Sequence, residues 1–328
     1  APRPIRDWSE IYRPLDERIL EGFGGVSEYG ITVRWDKNFL TLLHLTLARR
    51  DRLRIYGGVR FGGTLTLEEA WEQGFDHVAI AAGAGRPTVI DMKNNLIRGV
   101  RKASDFLMAL QLTGAFKRGA LPNLQVRLPA IVVGGGLTAI DTATELLAYY
   151  PIQVEKTLAR YEVLVSEVGE ARVRGMYDAE EQGLLNEFLT HGRAVRAERA
   201  RAAAAGELPD FAPLVRGWGG VTLAYRKRMV DAPAYRLNHE EIIKALEEGI
   251  FFAENLNPAE AVPDEHGHVK AVIFDREHGQ VEFPARAVLV AAGTSPNITY
   301  AKERQGSFAL DAKKKFFQGH RPVRSGAG

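Results

Sequence analysis

An α/β fold built on a mostly parallel sheet is predicted by three features of this 328-residue sequence. Short apolar runs alternate with stretches of helical periodicity, the pattern of a parallel sheet covered on both faces. One of those runs, Ile131 to Val133, empties into the consecutive glycines Gly134, Gly135 and Gly136 and then into a helical stretch. The composition, 45% hydrophobic and 26% charged, is enough for two compact units with cores but not for several.

Each element follows from local chemistry. Residues 1–21 are charged and proline-punctuated, with no signal-peptide core. Leu40, Leu43 and Leu47 recur at helical spacing, and Arg49 and Arg50 stand where a helix dipole favours cations. "LRIYGGV" reads as a strand. Thr66 with Glu69 makes a capping box for "LEEAWEQG", and "FDHVAIAAGAG" reads as a buried strand ending in a turn at Gly83. A helix in "SDFLMALQLTGAF" starts near Ser104, and the strand "AIVVGGG" leads into the helix "TAIDTATELLAYY".

The periodicity then changes. From Pro151 to about Arg216 the chain reads as a helical insert. Asp178 and Glu181 form a second capping box, Leu184, Leu185, Phe188 and Leu189 form an apolar stripe, and a basic, alanine-rich run follows. "GGVTLAYRKR" restores a strand and "NHEEIIKALEEG" a helix closed by Gly249. "IFFAEN", "VKAVIFD" and "ARAVLVAAGTSPN" supply the remaining strands, the last ending in a turn at Gly293.

Several chemistries are excluded. The sequence has no cysteine, hence no disulfide, no cysteine-held iron–sulfur cluster and no thiol nucleophile. Lys and Arg number 43 against 41 for Asp and Glu, so no global field draws the chain to nucleic acid or an anionic membrane. No apolar run approaches the roughly 18 to 20 residues that span a bilayer, and a cytoplasmic protein is the expectation. His266 and His268 read as a polar hairpin turn rather than a metal site, and His239 as a helix-starting residue. Arg193, Arg196, Arg199 and Arg201 read as a solvated helix face, and no residue is assigned as a metal ligand.

The glycine loop has the spacing of a dinucleotide-binding turn. The first glycine permits the bend, the second lets backbone approach a pyrophosphate, and a third small residue lets helix pack on strand. Gly134, Gly136 and Ala139 fill those roles, with Gly135 and Leu137 in the same loop and Thr138 as an added hydroxyl donor. The helix start would direct free N–H groups at the anion. A purely structural glycine turn is the alternative.

The nucleotide is decided at the tip of the next strand. An acid there takes a ribose 2′-hydroxyl, whereas basic residues take a 2′-phosphate. Glu155, in "IQVE", has the ordinary spacing for NAD. Tyr225, Arg226, Lys227 and Arg228, at the end of "VTLAY", indicate NADP if the helical insert separates the first strand–helix unit from its second strand. The second is favoured, because "IQVE" runs on with helical spacing and arginine binds phosphate through paired hydrogen bonds. Asp141 and Glu145, on the helix after the loop, are cofactor-contact candidates whose ordinary fate is solvation.

"VVGGGLTAID", "VTLAYRKR" and "APAYRLNHEEIIKALEEGIFF" together resemble the NADPH-binding domain of the small subunit of glutamate synthase and its FAD-dependent relatives in the pyridine nucleotide-disulfide oxidoreductase superfamily. "GGVSEYGITVRWDK", "TLTLEEAWEQGFDHVAIAAGA" and "ARAVLVAAGTSPN" extend the resemblance over about three quarters of the chain. It implies a Rossmann-like NAD(P)-binding domain, here with a helical insert at about 151–216, inserted into a partial FAD-binding domain. The expected division is residues 1–103 on the FAD side, 104–284 for NADPH and 285–328 for the return, with Gly83 and Gly293 marking the two crossings. Carried over, Gly134, Gly136, Thr138 and Ala139 hold the pyrophosphate and Arg226 and Arg228 the 2′-phosphate. Lys227 stands where a second arginine is usual.

Two departures accompany the resemblance. The insert is not part of the common pattern, and the glycines at 22–25 and in "GGVRFGGT" lack the FAD fingerprint spacing. The chain therefore reads as a fragment that lacks the first part of a flavin domain. The implied activity is hydride transfer from NADPH to FAD, with electrons passed to a partner domain or subunit. No catalytic side chain is assigned, because the protein's part is positioning. The alternative is a non-catalytic Rossmann frame that docks a protein partner through the helical insert.

Overall fold

The computed structural model describes residues 6–7, 17 and 40–321. Most of the proline-punctuated opening, "GGVSEYGITVRWDK" and the glycines at 22–25 lie outside the described residues. In chain order the early elements are α1 (Leu40–Ala48), α2 (Leu67–Glu72), β1 (Arg86–Pro87), β2 (Val100–Lys102), α3 (Ala103–Thr113) and β3 (Ala130–Val133). Four helices follow, α4 (Leu137–Val168), α5 (Glu170–Arg174), α6 (Ala179–Ala205) and α7 (Ala212–Gly217). Then come β4 (Val221–Ala224), α8 (Pro233–Glu247), β5 (Phe251–Ala253), β6 (Asn257–Pro263), β7 (Val269–Arg276) and β8 (Gly279–Pro284). The chain closes with β9 (Ala287–Val290), β10 (Thr294–Ser295) and α9 (Thr299–Glu303).

The chain divides into two compact units, residues 1–43 with 89–293, and residues 44–88 with 294–328. In the first, five strands form a wholly parallel sheet in the order β2-β9-β3-β4-β5. The central strands β3 and β9 are buried along their whole length, which is why they read as unbroken apolar runs. Alternate residues face opposite layers. Ala130, Val132, Val221, Leu223 and Leu289 pack with helical residues such as Phe106, Leu146 and Ile242. Ile131, Val133 and Val288 pack instead with Ala261, Val272 and Phe274. One face of the sheet is thus covered by helices, and the other by the antiparallel meander β6-β7-β8 rather than by more helices.

The boundaries differ from 103/104 and 284/285. β2 and β9 hydrogen-bond within the same sheet as β3, so both belong to the first unit. The chain passes between units at 43/44, 88/89 and 293/294, and the last two stand nearest the expected divisions. β1 and β10, on the second-unit side of those crossings, pair antiparallel, Arg86 with Ser295 and Pro87 with Thr294.

Within the second unit the two expected strands are not formed. "LRIYGGV" has no ladder partner among the described residues, and Ile55 and Tyr56 are 73% and 71% exposed. "FDHVAIAAGAG" forms no strand ladder among the described residues and is largely exposed. A strand needs a neighbour to satisfy its N–H and C=O groups, whereas a capped helix satisfies most of its own. The Thr66 and Glu69 capping box accordingly holds as expected.

The helix after the glycine loop runs to Val168 without stopping at Pro151. A proline there forfeits one backbone bond, yet Tyr149, Tyr150, Ile152 and Val154 are all buried around it, and that packing offsets the loss. α6, begun by the Asp178 and Glu181 box, lies against α4 at Gly192. A side chain at Gly192 would meet the carbonyl of Val154 at 2.6 Å, so the helices approach backbone to backbone. Tyr150 Oη lies 2.7 Å from His191 Nδ1, and the His191 ring stacks on Trp218 at 3.9 Å. Burial lowers the His191 pKa to about 4.

The loop before β3 is fastened to α4 by side chains spaced along one helix stripe. Tyr149 Oη accepts from the Leu124 N–H at 2.7 Å and donates to its carbonyl. The Gln153 amide pairs with both backbone groups of Val126, and Lys156 donates to the carbonyls of Ala115 and Pro122. The insert expected only as helical sequence is therefore built into the core of the first unit.

Candidate functional site: a glycine loop beside a basic strand tip

The register of β3 and β4 shows which segment supplies the strand beside β3. The strands are direct parallel neighbours, with Ala130 opposite Val221 and Val133 opposite Ala224. Gly134 and Tyr225 therefore leave adjacent strands at the same edge of the sheet, and the Gly134 N–H donates to Ala224 O at 3.0 Å. "IQVE" is no strand. Glu155 lies inside α4, where it pairs with Arg199 at 3.0 Å, and it cannot stand at a strand tip as an NAD-selecting acid.

Each glycine of the loop has its own reason. A Cβ on Gly134 would collide with the carbonyl oxygen of Ala291, at the end of β9, and crowd the Ala139 methyl. A Cβ on Gly135 would lie 2.5 Å from the Tyr225 ring, and Gly135 O accepts from the Ala234 N–H at the start of α8. Gly136 differs. A Cβ there would meet nothing within 4 Å, and its φ of −93° and ψ of 173° suit any residue. Its open side is the one position in the loop where glycine answers no packing demand.

Gly136 is also the N-cap of α4, and that end has no side-chain cap. The first-turn N–H groups, at Leu137 and Thr138, are those that a helix cannot satisfy by itself. Together with the dipole of a 32-residue helix they form a place for an anion. The loop lies between the ends of β4 and β9, on either side of β3, where ligands of open α/β sheets bind. A pyrophosphate fits this cradle.

The tip of β4 is basic and exposed. Arg226, Lys227 and Arg228 are all solvent-accessible. Asp231 binds Arg228 through Nε at 3.0 Å, leaving the terminal edge of that guanidinium for a second partner. The pair holds Arg228 charged and the Asp231 carboxyl below the usual carboxylate range. Lys227 O accepts from the Asn255 N–H, and the Met229 N–H donates to Glu254 at 2.6 Å, so the turn is tied to the chain after β5.

Other candidates fall elsewhere. Asp141 and Glu145, expected to be solvated, are instead buried, 4% and 1% exposed. Gly83 and Gly293 do adopt positive φ, 63° and 93°. Gly83 O accepts from the Asn297 N–H, but the segment before Gly83 is not a buried strand. Asp264 Oδ1 accepts from the N–H groups of His266 and His268, which makes that stretch a turn, and no metal-binding cluster occurs among the described residues. His239 follows a kink at Asn238 and so begins the second part of α8. Arg196, Arg199 and Arg201 form ion pairs with Glu162, Glu155 and Glu198.

Ala291, Ala234 and Asp231 were not anticipated at this site. Only Asp231 left a trace in sequence, as an acid three residues after Arg228. Among the described residues, no helix is long and apolar enough to cross a membrane.

No protein-family model matches the chain. An uncharacterized protein, RP006, of Rickettsia prowazekii (strain Madrid E) is 40% identical over 272 residues, covering 83% of this chain and 36% of that protein. The chain thus spans little more than a third of that relative. Among solved structures, FprA from Mycobacterium tuberculosis as a point mutant matches with a TM-score of 0.51 at 16% identity, over 90% of this chain and 65% of that one. FprA in complex with NADPH matches with a TM-score of 0.50 at 15% identity, over 90% and 66%. These likenesses show the fold, a Rossmann-like α/β arrangement with a parallel sheet.

Proposed function

We propose that the chain is the NADPH-binding portion of a flavin-dependent oxidoreductase, which positions NADPH for hydride transfer to FAD. The observation that carries this reading is the register of β3 on β4, which sets an uncapped helix start beside three exposed cations at one sheet edge. NADPH, when bound, supplies the hydride. The first-turn N–H groups at Leu137 and Thr138 bind the pyrophosphate, and Gly136 leaves its approach open. The terminal edge of Arg228, held by Asp231, and the side chain of Arg226 grip the 2′-phosphate, with Lys227 adding charge. No side chain is assigned a proton-transfer step, since hydride transfer asks for alignment.

Two further lines support the reading. The sequence resembles NADPH domains of FAD-dependent oxidoreductases, and one solved protein of the same fold is described in complex with NADPH. In this reading FAD and the onward electron acceptor belong to the parent oxidoreductase, and the described residues present no FAD cradle through which a step can be derived. The test is a fluorescence titration with NADPH and NADH separately. Saturable NADPH binding that weakens with added salt, and NADH binding at least tenfold weaker, is the expected result. Equal affinity for the two, or no binding of either, would remove the proposal.

A further inference from the structure

Besides the glycine loop, the first unit carries a concave basic site that the nucleotide reading does not use. A cleft of about 240 Å³ is lined by Arg118, Glu155, Lys156, Ala159, Arg160 and Arg196. It lies on the second half of α4, nineteen residues beyond the helix start and so about 28 Å away along the axis. A dinucleotide seated at the glycine loop and the β4 tip does not account for it.

The cations in this cleft are unequally balanced. Arg196 forms two hydrogen bonds of 2.8 Å with Glu162, and Glu155 is shared by Arg199 at 3.0 Å and Arg118 at 3.9 Å. Lys156 and Arg160 bond only to neutral groups. The Lys156 ammonium donates to the carbonyls of Ala115 and Pro122, at 2.9 and 2.8 Å, and Arg160 donates to those of Leu121 and Ala120. Carbonyl oxygens orient these cations without cancelling their charge. An ammonium has three N–H donors and a guanidinium five, so each retains donors beyond those that fasten the loop.

Lys156 is also 5% exposed, although lysine is almost never buried without a paired charge. Desolvation, helped by Arg160, lowers its pKa to about 8. Fastening the loop would not by itself call for two adjacent cations at the wall of a cleft, since the neutral Gln153 one turn earlier does the same work with Val126.

We infer that this cleft is a second anion site, which takes a phosphate-bearing group between Lys156, Arg160 and Arg118. Glu155 on the same wall is offset by its pairs with Arg199 and Arg118, which leaves Lys156 and Arg160 as the uncompensated charges, and the planar guanidinium groups suit a tetrahedral oxyanion. The inference stands independently of the NADPH reading.

Inorganic pyrophosphate is the probe, titrated calorimetrically into the full chain carrying Gly136→Val, Arg226→Ala and Arg228→Ala to disable the nucleotide site. The expected result is saturable one-site binding that persists in this background and weakens at least tenfold on adding Arg118→Gln. Arg118 is 56% exposed, so its replacement leaves the fold intact where Lys156→Met endangers it. Lys156→Met, if it folds by circular dichroism, is expected to abolish binding. Absence of pyrophosphate binding in this background, or binding indifferent to Arg118→Gln, would overturn the inference.

Discussion

The two units of this chain carry local signals of similar quality and very different interiors. In the first, two central strands are buried at every position and a helix layer and a meander close over them. In the second, Ala70 is the only buried hydrophobic among the described residues, while Ile55, Tyr56, Phe75 and Trp71 are exposed. Both contain a capping box, Asp178 with Glu181 in one and Thr66 with Glu69 in the other. The difference teaches that a cap can place a helix without a core, whereas an apolar run becomes a strand only when a neighbouring strand receives it.

Core truncation gives the largest contrast. Leu223→Ala, at a fully buried position of β4, is expected to cost about 2–5 kcal/mol in chemical denaturation. Ile55→Ala, on the exposed run of the second unit, should stay within about 0.5 kcal/mol. Comparable losses at both positions would show that the second unit has an interior after all.

Acid separates the units next. The His191 pKa is lowered to about 4, from a value near 6.5 in an unfolded chain. The unfolded state therefore binds the extra proton first, and stability is lost as pH falls from about 6.5 through 4. The loss should reach about 3 kcal/mol at full protonation. His191→Gln should start less stable, because the Tyr150 bond changes, but its denaturation midpoint should be flatter across that window.

The caps provide a smaller test. Asp178→Ala should lower the stability of the first unit by about 1 kcal/mol. Thr66→Ala should leave the main transition unmoved and show only as faster proteolysis around residues 64–75. A shared drop in the main transition would mean that the two units unfold as one.

The same contrast explains what could be read from the sequence. Both capping boxes, the sheet-forming runs at 130–133, 221–224 and 287–290, and the choice of β4 over "IQVE" as the second strand rested on local chemistry that the structure keeps. "LRIYGGV" and "FDHVAIAAGAG" misled because β-propensity describes a surface that fits a sheet without supplying the sheet. Pro151 misled in the opposite direction, since burial of its neighbours outweighs one missing backbone bond. At the site, Gly134–Gly136 and Arg226–Arg228 were legible as spacing patterns. Ala291 was not, because a backbone carbonyl more than 150 residues away leaves no mark near the glycine it constrains.

The central claim is that the loop and the strand tip serve one nucleotide, and separate substitutions within them test it most directly. Gly136→Val fills open space on permitted backbone angles, so it should fold normally and weaken NADPH and NADH together by tenfold or more. Arg226→Ala with Arg228→Ala should weaken NADPH by a similar factor and leave NADH unchanged. If Gly136→Val binds both nucleotides as the parent chain does, or the arginine pair weakens both equally, the two features do not grip the same molecule.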